Sequence, residues 1–157
     1  STQTVKTALR FKEGAMDRNT DLQRFVDAHK RDYPTALREI RNGKKTSHWM
    51  WYIFPQAEGL GRSPTACFYA IHSIEEAKLF LQDPYLGKNL FEICDALLKL
   101  NTNNAAEVFG WPDDMKLRSS MTLFACAAEG DSVFLKVLDK FFDGKPDYRT
   151  KEILHIK

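Results

Sequence analysis

The sequence has few cysteines, no long apolar run and no large excess of either charge, and each absence excludes a class of protein. Its three cysteines, Cys67, Cys94 and Cys126, are widely spaced and form no CxxC pair, which argues against a disulfide framework and a metal site. No wholly apolar run is longer than that of residues 49–54, far below the roughly 20 residues of a membrane-spanning helix. The net charge of +2 indicates neither nucleic acid nor an anionic membrane as a partner. We therefore expect a soluble, cytoplasmic protein with reduced thiols and no metal or other cofactor.

The composition is that of a single domain that folds on its own. Apolar residues make up 43% and charged residues 28% of the 157 residues, far from the composition of disordered chains. The strongest pattern is helical, and Leu22, Phe25 and Val26 begin its first apolar face. No stretch alternates like a strand between hairpin turns, and no segment repeats. The sequence predicts an all-α fold, a single compact domain of about seven to nine short helices around one core over residues 20–157, after a flexible N-terminal arm over residues 1–19.

Helix boundaries are predicted from capping residues. Short polar side chains, which can accept hydrogen bonds from unpaired backbone N–H groups, precede predicted helices at Ser63, Ser73, Asp83 and Asn104. Two later helices are expected to open at Asp113 and Asp131 and to end at Gly130 and Gly144. Pro34 lies within the first helical pattern and is expected to interrupt or restart that helix, because proline lacks the N–H that a helix needs.

Several blocks of the sequence resemble one known family. They include "SHWMWYIFPQ" at residues 47–56, "YAIHSIEEAKLFL" at 69–81 and "VFGWPDDMKLRSSMTLF" at 108–124. Together they resemble the bacterial and fungal DUF1810 family, over residues 21–154. The resemblance implies a mainly helical domain but no established chemistry. Some members carry a calpastatin-like label; calpain-inhibitory segments are disordered, however, whereas this chain is patterned to fold.

The block at residues 47–56 concentrates aromatic side chains within ten positions. Aromatic runs are more often core than ligand site, and we assign to the core Trp49, Ile53 and Phe54. Helical spacing places His48 and Trp51 on a second face, where a buried or a ligand-binding role is equally compatible with the pattern. In the ligand-binding interpretation, His48 and Gln56 orient a ligand and Trp51 stacks on a flat base or sugar.

The following segment, "AEGLGRSPTA", combines two glycines with a cation at the start of a predicted helix. The residues concerned are Gly59, Gly61, Arg62 and Ser63. A helix N-terminus presents unpaired N–H groups and can bind an anion, although the segment is neither a dinucleotide fingerprint nor a P-loop. We favour a tight loop with an ordinary serine cap and keep an anion site as the functional alternative.

Two further segments supply cations. The run "REIRNGKK" at residues 38–45 is typical of a solvated helix end, but it places Lys45 directly before the aromatic block. In "PDDMKLRSSMTLF", Lys116, Arg118 and Ser119 could contact a phosphate or carboxylate, with Asp113 or Asp114 as acid or base. A helix-capping role for Asp113 is the interpretation we favour.

Two functions of different classes fit these residues. In the first, the domain binds a small anionic ligand of nucleotide or phosphosugar type, with ADP-ribose or an NAD-related compound as examples. The ligand would contact Lys45, Trp51, Gln56, Gly59, Gly61, Arg62, Ser63, Lys116, Arg118 and Ser119. If the domain also hydrolyses that ligand, His48 and Asp113 would transfer protons. In the second, it is a non-catalytic protein–protein interaction module whose aromatic blocks are structural. Both an enzyme and a non-catalytic domain fit the sequence, and the sequence indicates neither a protein partner nor an oligomeric state.

Overall fold

The structure, a computed structural model, describes the backbone of residues 14–156 and the side chains of residues 22–156. This part of the chain forms nine helices and no strand, which confirms the all-α fold. They are α1 (Gly14–Arg41), α2 (Met50–Ile53), α3 (Pro64–Phe68), α4 (Ile74–Gln82), α5 (Leu86–Leu98), α6 (Ala105–Phe109), α7 (Asp113–Ala128), α8 (Val133–Phe142) and α9 (Tyr148–Ile153). None of these helices is both long and apolar enough to cross a membrane. Of the predicted arm, residues 1–13 lie outside the described residues, and residues 14–19 belong to α1.

A row of buried phenylalanine rings joins helices that are distant in sequence. The ring centroids of Phe25 in α1 and Phe80 in α4 lie 5.2 Å apart, and those of Phe80 and Phe124 in α7 lie 5.3 Å apart. Phe134 in α8 continues the row at 5.8 Å from Phe124. Each ring buries on the order of 150 to 250 Å². The row forms the centre of the core, with α7 packed against α4 and α8, and α5 packed against α1, α4 and α8.

The side chains predicted to cap helices bind backbone N–H groups at the helix starts. Ser63, Ser73 and Asn104 each accept a hydrogen bond from a backbone N–H in the first turn, at 3.0 to 3.1 Å. Asp83 accepts from the N–H groups of Tyr85 and Leu86, although Tyr85 occupies the capping position of α5. The predictions at Ser63, Ser73 and Asn104 are confirmed.

Asp113 begins α7 as predicted but does not cap it, and the predicted opening of α8 at Asp131 is wrong by one residue. The side chain that caps α8 is Ser132, not Asp131. At α7, Pro112 occupies the capping position, and Asp113 is the first helical residue and makes no capping hydrogen bond. The carboxylate of Asp113 is engaged elsewhere, in ion pairs described below.

Pro34 does not interrupt α1, contrary to the prediction. The helix is continuous from Gly14 to Arg41. Pro34 and Lys30, four residues earlier, are both exposed, while the neighbouring Tyr33 is buried. The carbonyl that loses its helical partner therefore faces solvent, where water can hydrogen-bond to it.

Gly87 lies in the first turn of α5, buried against the backbone of α4. A Cβ atom here would lie 2.1 Å from the carbonyl oxygen of Leu81, which is backbone and cannot rotate aside. We expect Gly87→Ala to lower the free energy of unfolding by about 2 kcal/mol, because the clash outweighs the better helix propensity of alanine. Urea unfolding followed by circular dichroism measures the change. The exposed neighbour serves as control: Lys88→Ala should stay within about 0.5 kcal/mol of the parent, and equal stabilities for the two variants would contradict the proposed clash.

Candidate functional site

The aromatic block divides into a buried part and an exposed part. Trp49, Ile53 and Phe54 are at most 1% exposed, which confirms their assignment to the core. His48 is exposed and Trp51 is partly buried, with its ring packed against the edge of the core. Both residues that the sequence placed on the second face therefore present side chains toward solvent.

Glu39 organises the loop that precedes α2. Its carboxylate, in a residue that is only 6% exposed, accepts hydrogen bonds from the N–H groups of Thr46 and Ser47 at 2.8 and 3.0 Å. It also accepts from the Ser47 hydroxyl at 2.5 Å and from the Trp49 indole N–H at 2.9 Å. Burial alone would raise the pKa of Glu39, but these hydrogen bonds outweigh it and lower the pKa to about 2. Glu39 is therefore a buried anion that fixes residues 46–49.

Lys45 lies at the start of this loop and is held in place at both its backbone and its side chain. Its N–H donates to the carbonyl of Val108 in α6 at 2.7 Å. Its ammonium donates to the carbonyl of Ser47 at 2.6 Å and lies 5.0 Å from the centre of the Trp49 ring. The side chain is only 8% exposed, so that the Lys45 charge is partly removed from water.

Lys45, Trp51, Asp113 and Lys116 form a group that we call the lysine cluster. Lys45 Nζ lies 2.8 Å from Asp113 Oδ2, and Lys116 Nζ lies 3.5 Å from Asp113 Oδ1. Lys116 Nζ also lies 6.0 Å from the centroid of the Trp51 ring, within the range of a cation–π contact. Two ammonium groups therefore share one carboxylate beside an aromatic ring.

A narrow cavity lies on another side of Trp51. Its volume is about 10 Å³, room for roughly one water molecule. Trp51, Gln56 and Gly61 line it together with Ala66 and Tyr69. Three of the predicted site residues therefore lie together, although the cavity is too small to enclose a nucleotide.

The glycines of the loop after α2 have structural explanations. Gly59 has a φ of +104°, a conformation that side chains rarely adopt. A Cβ atom on Gly61 would lie 2.6 Å from the Cβ atom of Ala66. Ser63 caps α3, a helix of five residues, and Arg62 is exposed. Backbone conformation, packing and helix capping therefore explain the two glycines and the serine of this loop without a bound ligand.

Arg118 and Ser119 contact a different part of the molecule. Arg118 Nε donates to the carbonyl of Lys145 at 3.0 Å, and its guanidinium lies 5.9 Å from the Phe142 ring. Ser119 donates to Asp147, which caps α9 and also accepts from Thr150. These contacts attach the connection between α8 and α9 to α7. The structure thus does not place them with the lysine cluster.

A second cleft was not indicated by the sequence. It has a volume of about 390 Å³ and is lined by residues of the segments before α4 and at the end of α9. His72 Nδ1 lies 3.2 Å from Glu58 Oε2 at its edge. The isolated parallel bridge between Ala57 and Ile71 brings the two side chains together. No local pattern reveals this pair, because its members lie 14 positions apart along the chain.

Similarity to known proteins identifies a family but no activity. The family model described as "Protein of unknown function (DUF1810)" matches residues 19–154. The conserved hypothetical protein Rv1873 from Mycobacterium tuberculosis, known from a crystal structure, is similar at 44% sequence identity with a TM-score of 0.84. The match covers 87% of this chain and 98% of that chain. No curated protein matches the sequence.

Proposed function

This chain belongs to the DUF1810 family, and we propose that its domain binds a small anionic ligand of nucleotide or phosphosugar type at the lysine cluster. ADP-ribose and NAD-related compounds are the first ligands to test, because they combine phosphates with flat bases. Lys45 and Lys116 would bind the phosphate, and Trp51 would stack on the base or pack against the sugar. The observation that carries the proposal is the pair of lysines that share one carboxylate beside Trp51.

The charge and burial of the cluster support an anionic ligand. Lys116 is 31% exposed, so a ligand can reach it from solvent. Lys45 is nearly buried, and a charge-assisted hydrogen bond to it would be stronger than one made in bulk water. Stacking on an aromatic ring contributes about 1 to 3 kcal/mol per base in single-stranded nucleic acid complexes. Trp51 is the aromatic side chain of the cluster that can serve this purpose.

Hydrolysis of the ligand is the catalytic form of the same proposal. It needs a group that transfers a proton, and both His48 and Asp113 were candidates. Asp113 is engaged with two lysines, whereas the exposed His48 precedes Trp51 by three residues. We therefore assign proton transfer to His48 if the domain is an enzyme.

An interaction module remains the second candidate, and one observation favours it. Trp111 is 81% exposed and Met115, four residues later, is 43% exposed. Exposed tryptophan and methionine are enriched in protein interfaces. Trp111 lies two residues before α7 and Met115 lies in its first turn, next to the lysine cluster in sequence.

A binding screen with two variants tests the ligand proposal. ADP-ribose, NAD and ribose 5-phosphate should raise the melting temperature, since a ligand at a hundredfold excess over its Kd stabilises the folded state by about 2.7 kcal/mol. Adenosine and ribose, which lack phosphate, should raise it much less. Lys116→Met and Trp51→Leu should each weaken binding about tenfold by isothermal titration calorimetry, because each removes one of the proposed contacts.

Matched controls separate the site from general effects of charge and burial. Lys88→Met removes an exposed lysine that also lies near a carboxylate, Glu92. Phe91→Leu shortens a partly exposed aromatic side chain on α5. Both should bind like the parent. A screen without any phosphate-dependent shift would reject the ligand proposal and leave the interaction module.

A further inference from the structure

Asp113 occupies the position in the lysine cluster where an anionic ligand would bind. Its two carboxylate oxygens contact different lysines, Oδ2 with Lys45 at 2.8 Å and Oδ1 with Lys116 at 3.5 Å. A phosphate placed between the same two ammonium groups would offer the same kind of oxygen to each. The carboxylate thus stands where the phosphate oxygens of the proposed ligand are needed.

Lys45 has little capacity for an additional partner. Its ammonium carries three hydrogens, and it already contacts the Ser47 carbonyl at 2.6 Å and Asp113 at 2.8 Å. The ammonium also lies over the Trp49 ring, 5.0 Å from its centre. Because the side chain is only 8% exposed, an incoming anion reaches Lys45 most directly by replacing the carboxylate of Asp113.

We propose that Asp113 is an internal counter-ion that competes with the ligand for Lys45 and Lys116 and thereby limits the affinity of the anion site. The inference rests on the proposed function, and it assigns Asp113 an autoinhibitory contact in place of proton transfer. Two negative groups between the same cations repel each other. Ligand binding then requires the carboxylate to turn away from at least one lysine.

The counter-ion role predicts that removal of the Asp113 charge strengthens ligand binding. A ligand-binding or proton-transferring role predicts that the same change weakens binding or catalysis. Asp113→Asn keeps the shape of the side chain and removes its charge. The variant should bind ADP-ribose about five- to tenfold more tightly than the parent, because the ligand no longer displaces a competing anion. Isothermal titration calorimetry at fixed ionic strength measures the change. In the parent protein, the 13C NMR signal of the Asp113 carboxyl carbon should shift during the same titration, a measurement that needs no variant.

The control and the outcomes separate this inference from the proposed function. Asp95→Asn makes the same change of net charge at an exposed ion pair with Lys99 on α5 and should bind like the parent. If the parent binds ADP-ribose and Asp113→Asn binds it equally or more weakly, the counter-ion role is wrong while the anion site stands. An unshifted Asp113 carboxyl signal on binding to the parent would also overturn it. If neither protein binds ADP-ribose, NAD or ribose 5-phosphate, the proposed function fails and this inference with it.

Discussion

Replacing Glu39 by alanine is expected to lower the free energy of unfolding by about 4 kcal/mol, because four hydrogen bonds worth about 1.5 to 3 kcal/mol each are lost and water replaces part of them. The indole N–H of Trp49 is the most costly of the donors left behind, because Trp49 is 1% exposed and water cannot replace the carboxylate. The N–H groups of Thr46 and Ser47 lie nearer to solvent and recover part of the loss. Chemical unfolding followed by tryptophan fluorescence measures the effect.

The amide variant tests whether the charge of Glu39 matters or only its shape. Glu39→Gln can keep three of the bonds through one oxygen, and we expect a loss of only about 1 to 2 kcal/mol at pH 7. The folded-state pKa of about 2 lies below the ordinary value of 4.5, so the charge contributes stability above pH 4.5, and this contribution is lost as the pH falls toward 2. The variant should lack that loss. Glu75→Ala, at an exposed acid of α4, is the control and should change stability by less than about 0.5 kcal/mol; an equal effect at both positions would contradict the role of Glu39.

The starts of helices were predictable where a single side chain determines them. Ser63, Ser73 and Asn104 accept hydrogen bonds from N–H groups two or three residues ahead. The chemistry involved is contained in four consecutive residues, so the sequence shows it directly. Continuation of α1 across Pro34 was not predictable in this way, because it depends on which side of the helix faces solvent.

The candidate site was predictable in its residue types and not in its contacts. Lys45, Trp51 and Lys116 were proposed as ligand contacts; in the structure both lysines contact Asp113, and Lys116 lies beside the Trp51 ring. The ion pair between Asp113 and Lys45, 68 positions earlier, leaves no local pattern in the sequence. A helix cap was therefore the favoured interpretation of Asp113. Arg118 lies about 200° around the helix from Lys116, which explains why it contacts the connection after α8 instead.

Glu39 is buried although the charge pattern around it is typical of a solvated helix end. It is the one acid in a run of basic residues, and such a run usually lies at a solvated helix end. Its neighbour Ile40 is fully buried, however, so the same turn of α1 also faces the core. The charge pattern alone could not show that residues 46–49 would fold back onto this carboxylate.

His29 joins three helices through a neutral imidazole in the core. The side chain is fully buried, with Nε2 2.9 Å from the carbonyl of Tyr52 in α2 and Nδ1 3.1 Å from the side-chain amide of Asn89 in α5. These partners fit a tautomer in which Nε2–H donates and Nδ1 accepts. Tyr33 stacks on the ring at 5.8 Å between centroids. Protonation would add a charge in the core and turn the Nδ1 acceptor into a donor facing the amide.

The protein is therefore expected to lose about 3 kcal/mol of stability through His29 between pH 6.5 and pH 4, since each unit of pKa shift corresponds to 1.36 kcal/mol. Burial lowers the folded-state pKa of His29 from 6.5 to about 4, although the hydrogen bond to Tyr52 acts in the opposite direction. Below pH 6.5 the unfolded chain takes up a proton that the folded protein does not, so the contribution is complete above pH 6.5 and declines as the pH falls. Urea unfolding at pH 7 and pH 4.5 should show most of the loss.

His29→Gln should be less stable at pH 7 and lack this component, whereas His155→Gln, at an exposed histidine, should retain the parent's pH dependence. Parallel pH profiles for the parent and His29→Gln would show that His29 does not remain neutral in the folded state.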